Sequence, residues 1–318
     1  MLDILAITSP IFITIVLGFL ATRFGLFAKP EMRVFGTFVV KLALPALLFK
    51  ALAQRQIGEI LNGSYVLAYL AGTLAVISLG YCWSRRLAGL GPTTSTFYAM
   101  GMGCSNSSFI GYPILLLILP SVAGVALALN VIVENVIVLP LLLAFAERGR
   151  DASGPLYRVI GRSLRRLATN PLIIAVAAGL FASLIGWKMP APVDRTVTMI
   201  AVSSGALSLF VIGGTLVGLP MHGMVRRAAP IAFGKLIVHP IAVLLAISML
   251  PLIGLAPLVP SLRLAALLLA AMPMMSIYPI LAQAYGQEDF SATALLITTV
   301  ASFFTLSGLL WIFRHLAI

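Results

Sequence analysis

Residues 103–114 read GCSNSSFIGYPI, and residues 270–280 read AAMPMMSIYPI. Both stretches interrupt long apolar runs with proline, glycine or clustered polar residues. Such residues free backbone groups that hydrocarbon cannot hydrogen-bond, so an interruption at membrane depth survives only inside protein or beside a water-filled cavity. Breaks at corresponding positions of two halves are the strongest sequence indication of a transporter's substrate site. We therefore predict that the two breaks form one binding site.

The composition is that of a membrane protein. The chain has 318 residues, of which 61% are hydrophobic and 9% are charged, and its mean hydropathy is +1.10. These values exclude a soluble domain with an ordinary charged surface. The net charge of +12 is interpreted as a topology signal and not as evidence for a nucleic-acid partner. Cys82 and Cys104 lack the spacing of a disulfide or a metal site and are interpreted as structural.

Ten apolar runs follow one another along the chain, each of roughly 17 to 25 residues, the length that crosses a bilayer. They lie near 3–22, 33–53, 64–83, 95–117, 121–145, 170–187, 196–218, 228–250, 262–284 and 290–313. The pattern predicts an all-α polytopic fold with ten transmembrane helices in the lipid bilayer.

Basic residues are divided unequally between the two sets of loops. One set holds 13: Arg23, Lys29, Arg33, Arg85, Arg86, Arg148, Arg150, Arg158, Arg162, Arg165, Arg166, Arg226 and Arg227. The other holds 6: Lys50, Arg55, Lys188, Arg195, Arg263 and Arg314. Because basic loops stay on the cytoplasmic side, the first set is predicted to be cytoplasmic and both termini to lie outside.

The two halves share spaced sequence patterns. The first run carries Pro10, Gly18 and Gly25, and the sixth run carries Pro171, Gly179 and Gly186 at identical spacings. Tyr112-Pro113-Ile114 in the fourth run likewise matches Tyr278-Pro279-Ile280 in the ninth. Each half has five helices, so the second half must enter the membrane from the opposite side. The pattern predicts inverted repeats whose broken fourth and ninth helices cross near the membrane midplane.

The residues of the two breaks are the predicted substrate-binding residues. In the first break they are Asn106, Ser107, Ser108, Gly111, Tyr112 and Pro113. In the second they are Pro273, Met275, Ser276, Tyr278 and Pro279. The N-termini of half-helices favour a carboxylate, and unwound carbonyls favour a cation or a donor group of the substrate. The alternative is that the prolines merely kink two helices.

Glu134 is the only acidic residue in the middle of a predicted span. A carboxylate at the bilayer centre costs about 2.5 to 3.5 kcal/mol even on the lenient insertion scale, so it must face protein or a cavity. Asn130 lies four residues earlier on the same helical face. We predict that Glu134, together with Asn130, binds the coupling ion, a proton or Na⁺, with a purely structural glutamate as the alternative.

Lys235 and His239 lie four residues apart on one face of the eighth predicted helix. Lys235 either extends to the cytoplasmic surface or takes part in coupling. His239 is a proton-relay partner of Glu134, a ligand of the substrate carboxylate, or a hydrogen-bonded core histidine.

The central stretch 147–169 is basic and amphipathic, with leucines at helical spacing opposite arginines. It is interpreted as a cytoplasmic connector on the inner leaflet, either a plain anchor or a regulatory segment. The chain carries no HExxH motif, glycine-rich phosphate loop or Cys/His cluster of metal-ligand spacing. We therefore expect no catalytic residues, cofactor or resident metal.

Several segments together resemble the auxin efflux carrier family, in particular its bacterial malonate or malate permease branch. They are Pro10-Ile-Phe with Leu17-Gly-Phe, Leu44-Pro-Ala-Leu-Leu-Phe49, Asn106 with Phe109-Ile-Gly-Tyr-Pro-Ile114, Asn170-Pro171-Leu, and the stretch from Met272-Pro273 to Tyr285-Gly286. The likeness covers nearly the whole chain.

The resemblance implies a fold similar to bile-acid symporters and sodium/proton antiporters, with a scaffold that also forms a homodimer and a moving transport domain. On this basis the chain divides into 1–60 (scaffold helices 1–2), 61–146 (transport helices 3–5), 147–169 (connector), 170–222 (scaffold helices 6–7) and 223–318 (transport helices 8–10). The family's crossover asparagine maps onto Asn106, whereas no asparagine stands in the second break.

The leading hypothesis is a secondary carrier of the bacterial inner membrane that moves a small organic anion by an elevator-type mechanism. The anion would be a malonate- or malate-like carboxylate or an auxin-like weak acid. An ion channel or uniport pore is the first alternative, because broken helices can also line a filter. A membrane sensor or scaffold is the second.

Overall fold

The computed structural model describes residues 2–55, 62–150, 165, 168–218, 225–283 and 285–316. Within these ranges the chain is helical and contains no β-strand. The α-helices are α1 (Leu2–Arg23), α2 (Lys29–Phe38), α3 (Leu44–Ala53), α4 (Gly63–Arg86), α5 (Pro92–Gly103), α6 (Tyr112–Ile118), α7 (Ala123–Val131), α8 (Leu139–Arg150), α9 (Pro171–Leu184), α10 (Ala191–Thr215), α11 (Val225–Phe233), α12 (His239–Met249), α13 (Pro260–Ala271), α14 (Tyr278–Gln283) and α15 (Glu288–Leu316). A 3₁₀ turn covers Pro251–Ile253.

Six stretches of helix in the described ranges are long and apolar enough to cross a membrane. They are Lys29–Ala53, Gly63–Arg86, Ala123–Gly149, Ala191–Thr215, Val225–Met249 and Phe290–Phe313. Shorter apolar helices cover Ser9–Arg23, Ser107–Ile118, Pro171–Leu184 and Pro260–Ala271. The protein is therefore an integral membrane protein, as its composition predicts.

Four segments of the described chain are π-helical: Val39–Ala43, Ser107–Gly111, Ile132–Val138 and Gly234–Val238. Each ends two residues before a proline, and these prolines are Pro45, Pro113, Pro140 and Pro240. A proline inside a helix has no N–H for the carbonyl four residues earlier and clashes with that carbonyl. In every case that carbonyl lies in the π segment. The hydrogen bonds of a π-helix join residues five apart, which leaves room for the proline ring and lets the helix continue.

The chain divides into two compact units, and the first consists of Met1–Gly63, Ser107–Val131 and Ala168–Gly218. Helices α1 and α10 approach closely within it because glycines stand at their contact. A Cβ atom on Gly213 would lie 1.8 Å from the carbonyl oxygen of Ile15, and one on Gly18 would lie 2.0 Å from that of Phe210. Small residues at both positions let the helix backbones touch.

Helices α1 and α9 of this unit end in the same way. The N–H of Leu26 donates to the carbonyl of Ala21, and the N–H of Trp187 donates to the carbonyl of Ala182, both at 2.9 Å. Gly25 and Gly186 precede these donors with φ of 79° and 62°, values that favour glycine. Each helix thus carries a glycine-based C-terminal cap at the position that the repeated sequence pattern marks.

The second unit consists of Ser64–Asn106, Ile132–Leu167 and Leu219–Ile318. Aromatic side chains fix α5 against α14 and the segment that follows it. The hydroxyl of Tyr278 donates to the carbonyl of Phe97 at 2.8 Å, and the ring centroids of Phe97 and Tyr285 lie 5.2 Å apart. Tyr285 in turn donates to the Glu147 carboxylate at 2.9 Å. This packing holds the end of α5, where the first break begins, in a defined position.

Most of the predicted basic connector, residues 151–164 and 166–167, lies outside the described residues. Its interpretation as an amphipathic helix at the inner leaflet therefore stays a prediction.

Candidate functional site

The two sequence breaks meet within the second unit. Helix α5 ends at Gly103 and α13 ends at Ala271, and the residues that follow each end are extended. Ser105 and Met274 form an isolated antiparallel bridge, and the N–H of Asn106 donates to the carbonyl of Pro273 at 2.8 Å. The broken segments thus satisfy part of each other's backbone, which a buried non-helical segment requires.

Lys235 lies inside the protein beside this junction. Its side chain is completely buried, and its Nζ atom donates to Ser105 Oγ and to the carbonyl of Ala270, both at 2.7 Å. The same atom lies 2.7 Å from Nδ1 of His239. Lys235 therefore does not extend to the cytoplasmic surface, which was one of the two alternatives for this residue. A buried charge of this kind needs several polar partners, and the junction supplies them.

His239 connects Lys235 to α4. Its Nε2 lies 3.0 Å from Oγ1 of Thr73, and its ring packs edge-on against Tyr69 at 5.8 Å. An ammonium that donates to Nδ1 requires a neutral imidazole with its hydrogen on Nε2, which then donates to the threonine. Tyr69 and Thr73 are four residues apart, as are Lys235 and His239, so two polar helix faces meet here.

Glu134 belongs to the same buried network. Its side chain is 4% exposed, and its Oε1 accepts from the N–H of Ser105 at 3.0 Å and from the hydroxyl of Tyr69 at 3.4 Å. Tyr69 also lies 3.2 Å from Ser105 Oγ. Ser105 therefore joins Lys235, through its side chain, to Glu134, through its backbone. The carboxylate is held by neutral donors that fix it next to the first break.

Two other predicted residues contact each other in the first unit. The side-chain amide of Asn130 donates to Ser107 Oγ at 3.0 Å, and both residues are buried. This contact ties the π-helical segment of the first break to α7. Asn130 therefore holds the part of the break that continues into α6.

The remaining predicted residues lie further along the two broken segments. Ser108 and Gly111 lie in the π segment, and Tyr112 and Pro113 open α6. Met275 is buried, Ser276 and Pro279 are half-buried, and Tyr278 is fully buried at the start of α14. The structure thus brings Asn106, Pro273, Glu134, Lys235 and His239 into one network and places Asn130 with Ser107.

Sequence reasoning missed three members of the network: Ser105, Tyr69 and Thr73. A signal for the last two was available, because they are polar, four residues apart and embedded in an apolar run. Ser105 could not be singled out, since the sequence does not show which serine of the first break points toward Lys235.

An apolar helical protein with a buried lysine, histidine and glutamate at two interrupted helices has the organisation of a membrane transporter. The comparison with protein families agrees. The chain belongs to the family described as membrane transport protein, whose model matches residues 4–312. The resemblance to the auxin efflux carrier family is thereby confirmed, and the protein is a membrane transporter and not an enzyme.

Two individual relatives carry transporter names, and a third carries a different name. A protein of Rhizobium meliloti (strain 1021) named "Putative malonate transporter" is 30% identical over 99% of this chain and 97% of its own length. The "Uncharacterized transporter YfdV" of Escherichia coli (strain K12) is 26% identical over 96% and 95% of the two chains. The mouse "Lysosomal cholesterol signaling protein" is 26% identical over 68% of this chain but only 26% of its own length.

Proposed function

We propose that the protein is a secondary transporter that moves a small organic anion across the bacterial inner membrane. The observation that carries the proposal is the ammonium group of Lys235, buried beside two broken helices and bound to Ser105 and the Ala270 carbonyl. Its three N–H donors are used by protein groups, so the lysine would stabilise an anion at the first break through its charge and not through a direct hydrogen bond. The name of the Rhizobium relative favours malonate as the first substrate to test.

The carboxylate of the substrate is proposed to bind at the first break. Asn106 is 3% exposed there and is anchored by its backbone to Pro273. Ser107 and Ser108 follow it and open a helical segment whose N-terminal end carries partial positive charge. The second break, rich in methionine, would cover the apolar middle of the substrate, with Met275 and Tyr278 in that role.

We further propose ten transmembrane helices arranged as two inverted repeats. Each of the ten predicted runs overlaps one of the apolar helical segments of the described chain. The matched caps of α1 and α9 support the repeat, and so does their packing. Gly18 of α1 contacts α10, while Gly179 of α9 contacts α3, so the first helix of each half packs on the second helix of the other.

The movement is proposed to be of the elevator type. A transport domain built from helices 3–5 and 8–10 would carry the site past a scaffold of helices 1, 2, 6 and 7, which also forms a homodimer. The second compact unit, which holds α4, α5, α8 and α11–α15, supports most of such a body. The segments α6 and α7 of predicted helices 4 and 5 belong to the first unit. In this proposal both chain termini lie outside.

Glu134 is proposed to couple transport to an ion, H⁺ or Na⁺. Its Oε1 already accepts from Ser105 and Tyr69, and the Lys235 ammonium occupies the other side of Ser105. H⁺ and Na⁺ carry the same charge and are affected alike by the lysine, but a proton on the carboxylate needs no shell of oxygen ligands around it. This argument favours H⁺ over Na⁺.

The experiment that tests the function is uptake of radiolabelled malonate by proteoliposomes that contain the purified protein. Saturable uptake, together with accelerated exchange when unlabelled malonate is loaded inside, is expected for a carrier. Malonate currents that do not saturate and show no counterflow would establish the pore instead. A panel of mono- and dicarboxylates, screened for a rise in Tm, identifies the substrate if malonate is inert.

A further inference from the structure

A cavity of about 600 Å³ lies within the first unit, among α3, α6, α7 and α10. The charged side chains among its described lining residues are two, Lys50 and Arg55, and both are basic. Hydroxyl and amide groups of Tyr112, Ser121, Thr198, Ser204 and Gln54 also line it. The side chains of Lys235, His239 and Glu134 are not part of this lining, so the cavity is a feature separate from the network already described.

Lys50 is held at the cavity wall by α10. Its Nζ atom lies 3.1 Å from the Asp194 carboxylate and donates to the hydroxyl of Thr198. An ammonium group has three N–H donors, so these contacts leave one for a ligand in the cavity. Asp194 also accepts from the Gln54 side chain at 2.9 Å, and its own side chain does not line the cavity. The lysine is thus fixed in place at the cavity wall, and Asp194 balances part of its charge.

Arg55 lies near the end of α3 and is fixed from two directions. Its guanidinium group donates to the carbonyl of Ser121, and its own carbonyl accepts from the Ser183 hydroxyl at 2.6 Å. The guanidinium group keeps its positive charge at any physiological pH. Two basic side chains at one cavity wall, with the carboxylate of Asp194 beside Lys50, leave a positive balance that attracts small anions.

We propose that this cavity is an anion-capture vestibule for small carboxylates on the outer side of the membrane. The substrate class rests on the proposed function, and the side rests on the predicted topology. Tyr112 is itself a predicted substrate-binding residue at the start of α6 and lines the cavity, so an anion held here lies beside the last residues of the first break. The cavity is far larger than a three-carbon dicarboxylate, so the anion stays hydrated and its binding is weak and salt-sensitive.

A thiol reporter inside the cavity tests the capture of anions without requiring transport. Ser121 is exposed, lines the cavity and accepts from Arg55 only through its backbone in the contact described, so Ser121→Cys changes little else. The variant is made with Cys82→Ser, since Cys82 is the exposed native cysteine and Cys104 is buried. A negatively charged methanethiosulfonate should react with Cys at 121 about threefold or more faster than a positively charged one at low salt. Millimolar malonate should slow the reaction.

The double change Lys50→Gln and Arg55→Gln should abolish both the preference for the anionic reagent and the protection by malonate. The matched control is Lys188→Gln with Arg195→Gln, which removes the same charge from exposed residues outside the cavity lining. That control should keep the preference and the protection. An equal loss in both double variants, or no preference in the parent, overturns the proposal.

The outcomes separate the vestibule from the transport function. Protection by malonate without malonate uptake contradicts the proposed substrate and leaves the vestibule supported. Malonate uptake with no protection, and with an unchanged KM in the Lys50→Gln and Arg55→Gln variant, rejects the vestibule alone. When both proposals hold, that variant raises the KM for external malonate at low salt, leaves kcat unaltered, and converges on the wild type at high salt.

Discussion

The Nζ atom of Lys235 lies 2.7 Å from Oγ of Ser105, whose own N–H donates to Glu134 at 3.0 Å. One serine in the first helix break therefore connects a buried cation with a buried carboxylate. Because the serine belongs to the broken segment itself, any displacement of that segment changes the surroundings of both charges. This arrangement makes the junction suitable for linking substrate occupancy to an ion.

Lys235→Met should reduce malonate uptake to the level of empty liposomes, because it removes the only cation of the described network. Removing one charge of a buried network can also destabilise the fold, since the remaining carboxylate loses its partner. The double variant Lys235→Met with Glu134→Gln removes both charges and should recover Tm but not uptake. Lys188→Met, at an exposed lysine, is the control and should transport normally. Uptake by Lys235→Met at the wild-type rate would exclude Lys235 from the site.

Glu134→Gln should make uptake independent of an imposed pH gradient or of sodium. The amide oxygen of glutamine can still accept from Ser105 and Tyr69, so the local structure should persist while the ionisable group is lost. Uptake is measured at several external pH values, with and without Na⁺, for the variant and the wild type. A variant that follows the wild-type pH and sodium profiles would reduce Glu134 to a structural role.

Asn106→Ala should abolish malonate binding and leave a folded protein in the membrane. The hydrogen bond to Pro273 uses the backbone of Asn106 and survives the change, whereas the side chain proposed for the carboxylate is removed. Asn135→Ala is the control, since this asparagine is half-buried in a π segment and is not among the predicted site residues. The rise in Tm with malonate should vanish in the first variant alone. An undiminished shift in Asn106→Ala contradicts the site assignment.

Much of the candidate site could be predicted from sequence because helix breakers act locally. The helices end at Gly103 and Ala271, within the two stretches that proline and clustered polar residues mark. A charged side chain is costly inside a membrane, so a charged residue within an apolar run indicates a special role. Glu134 and Lys235 were predicted on this basis. The contacts between segments could not be predicted, since which side chain meets Lys235 depends on the rotation of four different helices.

The π-helical segments were not predicted either. Isolated prolines in apolar runs indicate a bend. Whether the helix kinks, ends or forms a π segment depends on which neighbouring groups donate a hydrogen bond to the carbonyl that the proline leaves unpaired. A π segment precedes Pro45, Pro113, Pro140 and Pro240, whereas Pro10 and Pro230 lie inside α-helices without one. Two of the segments carry Glu134 and Lys235, so the local widening also sets the position of the charged residues.

Gly213→Ala should destabilise the protein, because the new Cβ atom would lie 1.8 Å from the carbonyl oxygen of Ile15 and would separate α1 from α10. Overpacking of this kind costs about 1 to 3 kcal/mol, and here the obstacle is backbone that cannot rotate away. Gly205→Ala is a control on the same helix, where a Cβ atom meets nothing within 4 Å. That change should be neutral or raise Tm slightly, since alanine favours helix over glycine. Thermal unfolding of both variants in detergent measures the difference, and equal Tm values would contradict the close contact of α1 with α10.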